Sequence, residues 1–223
     1  MAKALVVGGC PASYHRLEPT EQPLRAALEG LGLEVDFSGI YHPGGGEAYR
    51  GDYSALSGPY LPDYDLVVLY TTGNERHGAD VTTLQQWLED GKALVGIHCA
   101  TDSFTDSEDF VALMGGKFRT HPAQLHITTE IVDSAHPITA GLDSFTVHDE
   151  LYLFSDYHPG RVHLLAQTHS FDDNGHPVPI AWTREPGKGR LFYLSLGHNP
   201  STLHDASWQK FFQQGVEWTL NRR

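Results

Sequence analysis

Two uninterrupted apolar runs, Leu66-Val67-Val68-Leu69 and Ala93-Leu94-Val95-Gly96-Ile97, restrict this chain's architecture more than anything else in it. A strand with one wet face alternates apolar and polar residues. A strand apolar at every position must be covered on both faces, as in a central parallel strand flanked by helices. Between the two runs, Val81, Leu84, Trp87 and Leu88 recur at helical spacing over residues 80–90, and Gly91 closes the helix. Upstream the same alternation is present. Residues 3–8 read as a strand, 20–31 as a helix capped by Thr20 and stopped by Gly32, and 33–37 as a second strand. Strand–helix–strand units of this kind build a right-handed, mainly parallel sheet. A shorter helix is predicted over 108–114, ending at Gly115-Gly116.

The second half reads differently. Residues 124–132, 144–152, 162–167, 178–183 and 190–196 are strand-like with few helices between them, so antiparallel strands are expected to extend the sheet or layer on it. A last helix over 205–220 places Trp208, Phe211, Phe212, Gly215 and Val216 on one face. The stretch 41–60, rich in Gly and Tyr, has no period and is expected to cover the sheet edge or the site. With no repeat or linker, residues 1–223 are read as a single α/β domain.

A formal net charge of -13 repels phosphate backbones, which argues against nucleic acid and in favour of a neutral substrate. No apolar run approaches the ~20 residues that span a bilayer, so no membrane partner is expected. Two cysteines, Cys10 and Cys99, make neither a disulfide framework nor a Cys-rich zinc site, and no signal-peptide pattern is evident. A cytoplasmic location is the expectation.

In an open parallel sheet, ligands bind beyond the carboxyl ends of the strands. The residues there are Gly8 to His15, Thr71 to Glu75, His98 to Asp102, and Gly197 to Asn199, each polar where the preceding strand is apolar. His98 stands at the apex of a strand-to-helix turn of the kind that exposes a reactive side chain. A glutaminase-type elbow would carry cysteine at that apex. Cys99 is one residue out of frame, and His198 is followed by Asn199-Pro200 with no carboxylate two residues on, which speaks against Cys–His hydrolysis. Of 14 histidines, His98, His121, His148 and His198 stand where a site would collect them. With Glu150 or Glu75 they form a candidate His/carboxylate site for a divalent metal, zinc foremost, although polar recognition of a sugar is the commoner use of such residues. Strand alternation would place His148, Glu150 and Tyr152 on one face and Asp149 and Leu151 on the other. Facing a cleft, Glu150 would serve as general acid/base and Tyr152 as a stacking platform; facing water, the same strand would be a plain solvated surface.

An ordered set of short motifs resembles the ThuA-like (trehalose-utilisation) family. It comprises Gly96-Ile97-His98-Cys99-Ala100-Thr101-Asp102, Gly115-Gly116-Lys117-Phe118-Arg119-Thr120-His121-Pro122, and His136-Pro137-Ile138-Thr139. It continues through Asp149-Glu150-Leu151-Tyr152, Pro179-Ile180-Ala181-Trp182, Gly187-Lys188-Gly189-Arg190-Leu191-Phe192-Tyr193 and Leu196-Gly197-His198. The resemblance implies a flavodoxin-like, doubly wound sheet of the class I glutamine amidotransferase type without its cysteine nucleophile. It also implies a role in catabolism of trehalose and related glycosides, with keto-sugars as substrates. It carries His98, His121, Glu150 and His198 over as site residues and assigns no role to Cys10 or His15.

The leading functional expectation is an enzyme that acts on a keto-sugar or keto-glycoside by proton abstraction, leading to isomerisation, elimination or hydrolysis. His98, Glu150 and His198 are its candidate catalytic residues, and Glu75, Asp102, His121 and Tyr152 its candidate substrate contacts. The alternatives are a non-catalytic sugar-binding or regulatory module and a residual cysteine hydrolase alkylated at Cys99. Expected partners are a small neutral sugar or keto-sugar and, at most, further copies of the chain.

Overall fold

The computed structural model of the protein describes residues 1–10, 12, 14–41, 52–171 and 175–222. Its first half is the anticipated alternation: β1 (Lys3–Gly9), α1 (Glu18–Glu29), β2 (Glu34–Gly39), β3 (Leu66–Thr71), α2 (Val81–Glu89), β4 (Ala93–Ile97) and α3 (Glu108–Met114). Then come β5 (Lys117–Thr120), β6 (Leu125–Ile131), β7 (Phe145–Asp149), β8 (Leu153–Ser155), β9 (His163–Phe171), β10 (Pro177–Arg184) and β11 (Arg190–Leu194). Two helices, α4 (Pro200–Leu203) and α5 (Ala206–Thr219), close the described chain.

Nine strands form one mixed sheet in the order β2-β1-β3-β4-β11-β10-β9-β6-β7. The run from β2 to β11 is parallel, and the rest is antiparallel. β5 and β8, too short for a sequence pattern to reveal, pair as a separate two-stranded ribbon. Because Ala4–Val7 of β1, Leu66–Leu69 of β3 and all of β4 are apolar without a break, these strands feed two cores at once. Ala4, Val6, Val68 and Val95 face Leu24 and Leu28 of α1 and Phe211, Phe212 and Val216 of α5. Leu5, Val7, Val67, Leu69 and Leu94 face Leu84 and Leu88 of α2 and Phe110 and Leu113 of α3. Helices therefore lie on both sides, as continuous apolar strands require.

Helix ends follow the sequence with one correction. Asp80 caps α2 and Asp205 caps α5 by accepting backbone N–H bonds, and Gly115 ends α3 in the left-handed conformation. Thr20 does not cap α1. Pro19 is favoured in a first helical turn, so the helix begins at Glu18, and the Thr20 hydroxyl donates back to the Leu17 carbonyl at 2.8 Å. The stretch expected to cover the site or sheet edge lies partly outside the described residues. Its described part forms a 3-10 turn at Ser54–Leu56 and buries Tyr53, whose hydroxyl donates to the Gly9 carbonyl; a second 3-10 turn, Leu61–Asp63, follows it. Among the described residues no helix is long and apolar enough to cross a membrane.

Candidate functional site

β1 leads outward to β2 and the chain returns past it to β3, so the strand order reverses beside β1 and the sheet opens a crevice there. Four side chains converge above it: His15 beyond β1, His98 beyond β4, Glu150 beyond β7 and His198 beyond β11. One ligand atom from each lies within 4.8 Å of every other. His98 is fully buried, and Glu150 and His15 are 7% and 8% exposed.

Local conformation aims these groups. His98 (φ 44°) and His15 (φ 52°) both occupy the left-handed region, which non-glycine residues visit rarely and at a cost. At His98 the turn is held from behind: Tyr193 donates its hydroxyl to the His98 carbonyl at 2.7 Å, and Thr101 Oγ1 lies 2.9 Å from the same hydroxyl. The expected apex is therefore present, although a 3-10 turn, His98–Asp102, follows it rather than an α-helix. Cys99 is buried beside the apex, and burial pushes its thiol far above its ordinary value, which removes the thiolate a hydrolase would need.

The strand over 144–152 was expected to keep its alternation to Tyr152, but β7 ends at Asp149. The Asp149 carboxylate turns inward and accepts three backbone N–H bonds, from Glu150 (2.8 Å), His198 (3.0 Å) and Gly197 (3.2 Å). Asn199 Nδ2 adds a bond to the His148 carbonyl at 2.8 Å. These contacts curl the antiparallel half of the sheet back, so that the end of β7 meets the chain leaving β11. Gly197 makes the approach at φ 140°, where a Cβ would meet Ile97 Cγ2 at 2.9 Å.

The break in alternation separates the residues predicted for one face. His148 stays on the strand, exposed, with its ring 5.1 Å from that of His126, and does not join the cluster. Glu150 and Tyr152 enter the site. Glu75 also lies apart: its carboxylate is exposed and pairs with His77 at 3.2 Å. His121 stands at the rim, its Nε2 3.7 Å from Glu150 Oε2. Tyr152 lines the cavity but is packed between His98 and Phe118, at ring distances of 4.0 and 4.2 Å, so its faces are taken and it offers no platform for a sugar. Sequence reasoning left His15 unassigned. Its position beyond β1 was the available signal, but a lone histidine in a loop without a motif carries little weight by itself.

The hydrogen bonds fix how the nitrogens face. His98 Nδ1 lies 2.8 Å from the Ser195 carbonyl, which only accepts, so Nδ1 carries a proton and Nε2 is the nitrogen turned inward. His15 Nδ1 rests on Thr72 Oγ1 at 2.7 Å, and its Nε2 is 3.1 Å from His98 Nε2. Glu150 Oε2 lies 3.4 Å from His98 Nε2 and 3.1 Å from His198 Nδ1. That last contact is off the line of a hydrogen bond, and His198 Nδ1 is a buried nitrogen with no hydrogen-bond partner among the described residues. Ring nitrogens and a carboxylate oxygen converging on one point, with the outer nitrogens of His98 and His15 already engaged, are an arrangement that a cation or a shared proton satisfies.

The charge balance agrees. Burial pushes His15 down to about 2, with His98 and His198 acting in the same direction, so its ring is neutral at ordinary pH. For Glu150, burial alone would raise the carboxyl, but the His198 and His98 imidazoles outweigh it and hold the group well below the usual carboxylate range. Three histidines and one carboxylate are a donor set suited to zinc, whose ~2.0–2.1 Å ligand bonds place tetrahedral ligand atoms roughly 3.3 Å apart. The four residues could thus hold a metal.

A cavity of about 320 Å³ opens on the cluster, lined by Tyr14, His15, Asp102, Phe118, His121, Glu150, Tyr152 and His198. Among the described residues no lysine or arginine lines it. A larger groove of about 470 Å³ lies away from the cluster, beside Phe154, Tyr157 and β10, and among the described residues it gathers no comparable convergence of ligand atoms.

Known structures share this architecture. A ThuA-like protein of Parabacteroides merdae superposes with a TM-score of 0.79 at 20% identity, over 98% of this chain and 90% of that one. A second, from Bacteroides uniformis, gives 0.75 at 22% identity over 98% and 91%. PurLQS of Thermotoga maritima gives 0.57 at 15% identity over 97% and 98%. The fold is accordingly that of the class I glutamine amidotransferase-like proteins, with parallel core strands and an antiparallel second half. Residues 26–219 match the model of the ThuA family, described as trehalose utilisation, and the chain belongs to that family. His15 precedes the matched stretch. No curated protein matches the sequence.

Proposed function

We propose that this protein is an enzyme acting on a neutral keto-sugar or keto-glycoside, and that His15, His98, Glu150 and His198 hold a divalent cation, zinc by preference, at the centre of its site. The observation that carries the reading is the convergence of three imidazoles and a carboxylate in one cavity, with His98 and His15 braced from behind. Such a cation supplies a Lewis acid for a carbonyl oxygen and stabilises the negative charge that develops on it. Glu150 is then a ligand rather than the general base expected from sequence, because its carboxylate is engaged by His98 and His198.

The cavity wall suits an uncharged sugar. Among the described residues it carries hydroxyl, imidazole and carboxylate groups and no cationic side chain to neutralise a phosphate. Its volume, at the small end of the ~300–1,000 Å³ range of ligand pockets, suits one sugar ring. His121 at the rim is placed to hydrogen-bond a sugar hydroxyl, and Tyr14, 54% exposed at the mouth, offers a ring against which an apolar sugar face can lie. Trehalose utilisation as the description of the family supports a sugar in this role.

The test follows 3-keto-glucosides by proton NMR with purified protein, before and after removal of metal by a chelator, alongside elemental analysis. Turnover that is lost on chelation and restored by zinc is the expected result. Turnover indifferent to chelation would remove the metal from the reading, and saturable sugar binding without turnover would remove the enzyme.

A further inference from the structure

We propose that the Asp102 carboxylate is the catalytic base of this site, taking the proton from the carbon next to the sugar carbonyl while the histidine–glutamate cluster receives the carbonyl oxygen. The inference rests on the reading of that cluster as an oxygen-binding centre, and it deepens that reading by naming the group on the other side of the substrate.

Asp102 ends the 3-10 turn that begins with His98, so both poles of the site are built on one short segment, and its side chain lines the same cavity as His15, Glu150 and His198. The backbone around it is closely held. Its own carbonyl accepts from Gly73 N–H at 2.9 Å, Phe104 N–H donates to the Gly73 carbonyl at 2.9 Å, and Ser103 Oγ donates to the Thr71 carbonyl at 2.5 Å. Its carboxylate is the exception. Among the described residues it has no hydrogen-bond or ion-pair partner, only the longer-range fields of His98 and Lys117.

A half-buried carboxylate without a hydrogen bond is unfavourable for the fold, and such groups concentrate where a ligand completes them. Other candidates for the base are committed elsewhere. Glu150 is engaged by His98 and His198, His98 Nδ1 is bound to the Ser195 carbonyl, and His15 Nδ1 rests on Thr72. His121 is the rival: its Nδ1 donates to the Pro122 carbonyl at 2.8 Å, but its Nε2 faces Glu150 from the exposed rim. Burial also brings Asp102 up to about 6, against the pull of His98 and Lys117, which is the range in which a carboxylate both takes and returns a proton near neutral pH.

In the step itself, one Asp102 oxygen forms a bond to the proton as the carbon–hydrogen bond breaks. That electron pair becomes the new carbon–carbon double bond, and the carbonyl π pair moves onto oxygen. Return of the proton to the same carbon gives exchange. For isomerisation the enolate oxygen first takes the proton of the hydroxyl on the neighbouring carbon. Asp102 then returns its proton to the former carbonyl carbon with the double-bond pair, and the neighbouring oxygen's pair closes the new carbonyl. For elimination the enolate pair re-forms the carbonyl and the double-bond pair shifts one carbon along. The glycosidic oxygen β to the carbonyl leaves with its bonding pair and takes up the proton. No oxidant or reductant is consumed.

The experiment incubates methyl 3-keto-glucopyranoside with the metal-replete protein in D2O and follows loss of the proton signals flanking the carbonyl. D102N, D102E and H121Q are compared with the unmodified chain, and metal content is measured for each. The expected result is a 10²–10⁴-fold fall in kcat for D102N with KM within a few-fold, unchanged metal content, and partial recovery in D102E. Exchange by D102N within about threefold of the unmodified rate, a change confined to KM, or a loss in H121Q alone would overturn the assignment. Absence of exchange by the unmodified, metal-replete chain would overturn the keto-sugar reading instead, and the base with it.

Discussion

Replacing Asp149 by asparagine separates the two duties of the β7 terminus. One carboxylate oxygen receives the N–H groups of Glu150 and His198, and the other receives that of Gly197. An amide can keep the first oxygen but must turn its NH2 toward the Gly197 N–H, so that two donors face each other in a fully buried place. Hydrogen bonds to a charged group contribute about 1.5–3 kcal/mol each, and a buried donor left unpaired costs about 1–3 kcal/mol. Since the three bonds share one carboxylate and are not additive, the net expected loss for Asp149→Asn is about 2–4 kcal/mol. The assay is urea unfolding of chelator-treated protein, so that metal binding adds nothing to the native state. A second readout is zinc affinity: Glu150 and His198 are both carried on N–H groups that Asp149 holds, and the variant is expected to bind at least tenfold more weakly. A stability change below about 0.5 kcal/mol together with unaltered zinc affinity would refute the argument that this carboxylate ties the two halves of the site.

Three further outcomes are expected. In chelator-treated protein the unfolded chain protonates His15 near pH 6.5, whereas the folded chain does so only near pH 2. This contribution to stability is complete above pH 6.5 and is lost as the pH falls, by at most about 1.4 kcal/mol per pH unit. Urea midpoints at pH 7.5, 6.5 and 5.5 check it, and a His15→Gln variant should show a flatter profile. Cys99, buried and with its thiol far above the ordinary value, should resist iodoacetamide at pH 7.5 in the native state and react after unfolding, as followed by mass spectrometry. His98→Ala is expected to abolish zinc retention while leaving the circular dichroism spectrum of the fold, because the Tyr193 and Thr101 bonds act on its backbone carbonyl or on each other and survive truncation.

The parallel half of the sheet is legible in the sequence because continuous apolar strands and well-capped helices each carry their own signal: 93–97 and 108–114 coincide with β4 and α3. The long antiparallel strands are legible as well, but their order is not, since nothing local states that β11 inserts beside β4 and pairs back to β10. For the site, His98 and His198 follow from their places beyond parallel strands. His148 and Glu150 could not be separated, because period-two alternation carries no mark of where a strand ends, and the inward turn of Asp149 is decided by N–H groups almost fifty residues away. His15 escaped for a related reason. Its partners Thr72, His98 and Tyr152 lie in other parts of the chain, and its left-handed backbone has no glycine to advertise it.

The bonds that assemble the cluster link residues 83, 97 and 137 positions apart in the chain. Contacts this distant bear a large loop-closure entropy and form late, after the sheet that carries them. A nascent chain is therefore expected to assemble the proposed cation site only once β11 has inserted beside β4. Uptake of zinc would then report completion of the whole fold rather than of any one segment, and a bound ion would resist unfolding of the first and last thirds of the protein together.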